Sequence, residues 1–526
     1  MAGALRVRQS LGELQQQYLS GNKAPLEAVM RAWKGIKDLP PDDPRSFYIL
    51  GGYHGEPFRG AGWGNSTYWG GYCMHGNVLF PTWHRVYLFM LEEAMRSIPG
   101  CQDVTLPFWD ETDADTLQNG VPWALTAETF ELDGQTIPNP LRSFVLPQNI
   151  VDHISGDNPN YSKAEGYETV RYPLSGLVGT PADRAKTATH NAQWTTAEAI
   201  VLLNQNIINW MTSAITVDGQ PVTVNSIAQQ FQDCLNAPNY TVFSNTSSRD
   251  AWNDNAPVAV QALEQPHNNI HLAVGGFEVP NFDASPIDGA NGDMGENDTA
   301  ALDPIFYFHH CNIDRVFWLW QKKNEASGWT KTLEVIAQYP GTNSVDNQGA
   351  TPGVAPNSWL DMETPLDPFR KADGTTYTSN DCVDIEGQLG YTYGPGSLDD
   401  AVQPTVKAAA ALHAAAPQRK IHVSGINRGT IRGSFLISAF VNVDGKRHHI
   451  GTEGVLSRWH VEGCANCQTH LQARATFPLH PTLAARVSEE DIEVEVRTRD
   501  GKLGGGLKGL VAAALGDSRP FRVELR

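Results

Sequence analysis

Apolar residues recur at helical spacing in three stretches of the chain. Phe306, His310, Ile313, Phe317 and Trp320 follow one another at steps of four and three, which predicts an amphipathic helix. Asp303-Pro304 marks its start, with Asp303 as N-cap. A second helix is predicted from Pro81 to about Ile98, with His84, Leu88, Leu91 and Met95 on one face and Glu92 and Glu93 elsewhere. A third carries His267 and His271 four residues apart on one face. Pro266 suits its first turn, and Gly275-Gly276 suits its end. The stretch MAGALRVRQSLGELQQQYLSG reads as an amphipathic helix.

The period changes near residue 400. Val402 to Arg419 includes KAAAALHAAAPQRK and reads as a linker or short helix. Beyond it, IHVSG, GSFLISAFVNVDG and DIEVEVRTRDG alternate or run apolar between Gly and Asp-Gly turns, as strands do. PFRVELR is the expected last strand, and LGGGLKGLVAAALG an interrupting loop and short helix. The predicted architecture is a mainly α helical bundle with long loops at 1–398, a linker at 399–419 and a small antiparallel β domain at 420–526.

Candidate chemistry sits in the helical part. GGYHGEPF…WGGYCMHGNVLFPTWHR supplies His54, His75 and His84. LEQPHNNIHLAVGG…DPIFYFHHCNIDR supplies His267, His271 and His310. Three plus three imidazoles, without carboxylate or thiolate, suit a pair of copper or zinc ions far better than magnesium or calcium. His310 lies in the apolar stripe and is the expected ligand; His309, about a hundred degrees around the helix, reads as a hydrogen-bonded neighbour. His54 and His75 follow glycines, so both are expected on loops that bend them toward one ion.

On PTWHR, HNNIH and DPIFYFHH…DR, the chain resembles the tyrosinase/catechol oxidase (polyphenol oxidase) family of type-3 copper proteins. The resemblance spans roughly the first three-quarters of the chain. GQLGYTYGPGSLDD, with Tyr391 and Tyr393, is similar to the motif closing the family's catalytic domain. Residues 420–526 resemble the lid-like extension of its long forms. What the resemblance implies is two copper ions, dioxygen as co-substrate, ortho-hydroxylation of monophenols and oxidation of o-diphenols to the o-quinones that lead to melanin. It also implies a thioether between Cys73 and His75, the alternative being a buried free thiol.

Several residues carry two readings at this point. In members that hydroxylate monophenols, a Glu and an Asn placed like Glu264 and Asn268 hold a water that serves as base. Glu264 also reads as a favourable charge at a helix N-terminus, and Asn268 as an exposed helix residue. Asp314 either orients an imidazole or pairs with an arginine. Phe306 either stacks on a ligand ring or fills core. Cys464-Ala-Asn-Cys467, near His460 and His470, resembles the copper-loading CxxC of long forms; zinc binding and a disulfide compete. Phe435, Phe440 and Trp459 are candidates for a side chain that plugs the pocket, or for strand core.

Composition narrows the partners. A net charge of −19 argues against nucleic acid and anionic membranes. No apolar run reaches transmembrane length. Seven cysteines in 526 residues are too sparse for a disulfide scaffold. The expected partners are small phenols and dioxygen, with a copper-delivery protein and a homo-oligomer as further possibilities. The N-terminus lacks a signal core, so the expected location is the cytoplasm, or export by an unseen route. Catechol oxidase, o-aminophenol oxidase, haemocyanin-like oxygen binding and a dizinc protein are the competing functions. The lack of a tandem copper repeat weighs against the oxygen carrier.

Overall fold

The computed structural model describes residues 5–55, 71–151, 162–177, 181–280, 292–344, 354, 358–402, 417–458, 471–506 and 521–526. Helices dominate up to residue 323, and two antiparallel sheets follow residue 420.

The three expected helices form, with shifted ends. They run Phe80–Arg96, Glu264–Gly275 and Ile305–Lys323. The cap position of the last falls on Pro304, not on the expected Asp303, whose Oδ1 still accepts from Ile305 N at 3.1 Å while its carboxylate grips Arg171 at 2.6 and 2.8 Å. The Phe306–Trp320 stripe is fully buried, as its spacing predicts. Glu92 is off the His84 face, as its spacing predicts, yet not exposed. It lies buried and accepts from Arg8 Nε at 2.8 Å and Leu106 N at 3.0 Å.

His54 is a correction. It is the last residue of a helix, Phe47–His54, capped by the Ser46 hydroxyl, and does not lie on a loop. The glycines before it serve close packing: a Cβ at Gly51 would stand 2.9 Å from the Ala301 carbonyl.

The N-terminal helix forms at Leu11–Leu19, behind a strand the pattern does not show. That strand, Arg6–Arg8, pairs in parallel with Tyr391–Tyr393. The two ends of the helical part are thereby tied together. Arg8, Tyr391 and Tyr393 all converge on Asp314, the two phenols donating at 2.6 Å each.

After residue 420 one sheet runs Gln472–Pro478, Lys420–Asn427, Arg522–Leu525. The other runs Lys446–Val455, Phe435–Val443, Ile492–Thr498, Gly501–Gly506. Gly501–Gly506 corrects the sequence reading, because the start of the expected loop extends a hairpin strand instead. Ile421, Val423 and Phe477 of the first sheet share a core with Phe435, Ile437 and Val494 of the second. A hairpin from the helical part, Ala214–Val217 with Gln220–Thr223, adds Val217 and Val222 to that core. Phe440 is likewise buried in its strand, under the Arg447 guanidinium at 3.4 Å. Phe435 is therefore strand core, while Phe440 packs against Arg447 and the His449 ring, 5.3 Å away. Trp459, Cys464 and Cys467 lie outside the described residues.

Candidate metal centre

Six imidazoles meet where the four helices and the His75 segment come together. His54, His75 and His84 have ring centroids 5.1–5.6 Å apart. His267, His271 and His310 lie 4.5–5.4 Å apart. The two triads touch, with His84 stacked on His310 at 4.5 Å and His75 on His267 at 5.5 Å.

Backbone and amide oxygens fix several rings from behind. His84 Nδ1 meets the Phe80 carbonyl at 2.8 Å, inside its own helix. His271 Nδ1 meets the Met294 carbonyl at 2.8 Å, and His267 Nδ1 meets Asn268 Oδ1 at 2.9 Å. With the Nδ1 proton so engaged, the Nε2 lone pair is left to face inward. His267 and His271 Nε2 each approach His310 Nε2 at 3.2 Å. His84 Nε2 and both nitrogens of His54 are buried with no hydrogen-bond partner among the described residues. Convergent, orphaned nitrogens of this kind are what a cation would satisfy.

Burial holds the rings neutral. His54, His75, His267, His271 and His310 are pushed well below the usual imidazole range by desolvation, and His84 to about 3. A neutral ring keeps its lone pair for a metal, so the donor set fits soft-to-borderline cations.

Packing sets the ring planes. Phe306 stacks on His310 at 3.9 Å and meets His54 edge-on at 4.8 Å, so its role joins both expected readings. Phe80 and Trp83, missed by the sequence reading, stand 4.9 and 4.8 Å from His84. Gly275 is needed for the Met294 contact. A Cβ there would fall 1.7 Å from Gly295 N, so only glycine lets that turn reach His271.

His309 makes the hydrogen bond expected of it, though one of its ring nitrogens also lies within 4.8 Å of those of His267, His271 and His310. Its Nδ1 meets Glu111 Oε1 at 2.6 Å, both groups buried. Glu111 thus orients His309. Asp314 touches no imidazole among the described residues, and of its two readings the pairing with arginine holds. Its partners are Arg85 at 2.5 Å, Arg8 at 3.4 Å, and Tyr391 and Tyr393. Burial alone would raise this carboxyl; Arg85 and Arg8 win and hold it below its usual range.

Glu264 and Asn268 share a cleft with His75 and Gly76. Glu264 is buried, and its oxygens accept from Gly76 N at 2.7 Å and from Thr246 N at 2.9 Å. Those bonds favour the carboxylate, yet desolvation is larger and raises its pKa. Asn268 is buried rather than exposed.

Residues from beyond 420 approach the same place. Gly454 N donates to Asn269 Oδ1 at 2.6 Å. Arg458 reaches Asp298 at 2.9 Å, the His54 carbonyl at 3.3 Å and Cys73 Sγ at 3.1 Å. Arg428 lines the Glu264 cleft. No motif in the sequence marks these arginines. Cys73 Sγ and ring nitrogens of His54 and His75 all lie within 4.8 Å of one another.

Fold and site define a mainly helical protein with a paired tri-histidine, metal-binding centre. The family model for the common central domain of tyrosinase matches residues 44–323, and the chain belongs to the tyrosinase family, enzymes that oxidise phenols with dioxygen at copper. Tyrosinase HcTyr2 of Hahella sp. is 52% identical over 518 residues, covering 94% of this chain and 92% of that protein. A tyrosinase of Aspergillus oryzae is 44% identical over 489 residues, 87% of each chain. The solved tyrosinase of Burkholderia thailandensis at low pH superposes with a TM-score of 0.81 at 48% identity, covering 99% of this chain and all of the other. Among the described residues, no helix is long and apolar enough to cross a membrane.

Proposed function

We propose that His54, His75 and His84 hold one copper ion and that His267, His271 and His310 hold the other. The reading rests on two triads of buried, neutral imidazoles: His267 and His271 Nε2 each lie 3.2 Å from His310 Nε2, and the rings of His54, His75 and His84 lie 5.1–5.6 Å apart. When bound, the copper pair supplies the electrons that activate dioxygen for phenol oxidation. The chain's own work is placement. Phe306, Phe80 and Trp83 fix ring planes, the Phe80 and Met294 carbonyls fix tautomers, and burial keeps water from the centre.

Both reactions, ortho-hydroxylation of monophenols and oxidation of o-diphenols, fall to this site. Hydroxylation also needs a base for the phenol proton. Glu264 takes it through one water held between its carboxylate and the Asn268 amide, a role supported by their shared cleft. Glu264→Gln is expected to lower monophenol hydroxylation about 10²-fold or more while catechol oxidation stays within a few-fold. Equal loss of both activities would sink the base assignment and leave Glu264 a clamp on the Gly76 segment.

The same reading joins Cys73 Sγ to a His75 ring carbon with loss of two electrons and two protons, for which the copper-loaded centre with dioxygen would supply the oxidant. Copper-loaded protein is then expected to weigh two hydrogens less than the copper-free chain. An unchanged intact mass after turnover would refute the crosslink. The inference extends to the domains: residues 420–526 cover the centre through Gly454–Arg458, beyond a linker at 399–419. Cys464 and Cys467 fit copper loading by their soft thiolates.

A further inference from the structure

A cavity of about 220 Å³ lies apart from the histidine centre and shares no residue with it. Its inner wall is apolar, formed by Tyr172, Ala199, Leu203 and the Trp194 ring. Two opposite charges, Arg142 and Glu168, line it as well.

Two features there have no internal explanation. Trp194 Nε1 is buried and has no hydrogen-bond partner among the described residues. Burying an indole N–H unpaired is costly, and such groups usually find an acceptor. The Arg142 side chain makes no hydrogen bond or ion pair with any described residue, whereas neighbouring Arg171 is fully engaged by Asp303 and the Leu125 and Leu141 carbonyls. Glu168 accepts from the Ser143 hydroxyl and forms no ion pair with Arg142.

We propose that this cavity binds a free amino acid with an aromatic side chain. Arg142 takes its carboxylate, Glu168 its ammonium, and the apolar wall its ring. The Trp194 N–H points to an acceptor on the ring or the carboxylate. The volume is below the range of drug-sized sites, which suits one small metabolite. A simple aromatic acid would leave Glu168 facing a like charge, and an amine would leave Arg142 without a counter-ion.

L-Phenylalanine is the probe, since it carries no phenol to be turned over. Its binding to the copper-loaded full chain is measured by calorimetry, against Arg142→Gln and Trp194→Phe. Both variants are expected to oxidise catechol as the native chain does when no amino acid is present. Arg142→Gln is expected to weaken binding about tenfold or more, and Trp194→Phe a few-fold. Phenylacetate and phenethylamine, each lacking one charge, are expected to bind about tenfold more weakly than phenylalanine. No binding to the native chain up to about 10 mM, a very weak limit, would overturn the proposal. Undiminished binding to both variants would place the ligand elsewhere and overturn it too. Phenylacetate binding as tightly as phenylalanine would refute the amino-acid class.

Discussion

Asp314 shows what one buried carboxylate costs and settles. Four donors from three separated parts of the chain meet on it: Arg8, Arg85, Tyr391 and Tyr393. Removing the carboxylate leaves Arg85 buried without a counter-charge, and Arg8 with Glu92 alone. Asp314→Ala is therefore expected to cost about 3–5 kcal/mol of unfolding free energy. Denaturant titration reads this directly, and a loss under about 1 kcal/mol would show that the arginines find other partners. Sequence narrowed Asp314 to two roles and no further. An aspartate one turn after a histidine is placed as well for an imidazole as for an arginine, and only the neighbouring Arg85 decides. His310 was legible because its apolar stripe left one buried face; Glu111, nearly two hundred residues from His309, was not.

At the scale of elements, the strand Lys446–Val455 joins the two regions. Its outer end bonds to the His267 helix through Gly454, and Glu453 pairs with buried Arg249 at 3.0 Å. His449 in the same strand meets Thr452 Oγ1 at 2.8 Å. Burial pushes its imidazole down to about 4, Arg447 and Arg497 adding to the effect. On acidification the unfolded chain, with a histidine near 6.5, takes up this proton first. The neutral ring's contribution is thus whole above about pH 6.5 and is lost as pH falls toward 4. His449→Gln is expected to flatten that part of the stability profile by at most about 3 kcal/mol. Parallel profiles for both proteins between pH 7 and about 4 would remove His449 as the source.

Across the whole molecule, the two triads draw on four buried helices and on the segment of His75. Nitrogens facing one another at 3.2 Å are poorly served without a cation between them. Copper bound to this state and weakly to the unfolded chain must stabilise it by mass action, about 2.7 kcal/mol at a hundredfold excess over Kd. Thermal unfolding is expected to move up by several degrees on copper loading, and to lose most of that gain in His84→Ala. An unfolding midpoint indifferent to copper would mean that the centre is not held by the native fold.

The sequence by itself determined the helices of His84, His267 and His310, the change to strands past residue 420, and the six histidines. Those follow from local periodicity and residue chemistry, which neighbours along the chain are enough to express. Tertiary structure decided the rest. It put His54 at the end of a helix whose Gly51 packs against the Ala301 carbonyl. It gave Asp314 to Arg85, and it brought Arg458 beside Cys73 across 385 positions of chain. It also left Trp194 and Arg142 around one cavity, unpaired. Each of these depends on which distant surfaces share a core, and no spacing along the chain encodes that.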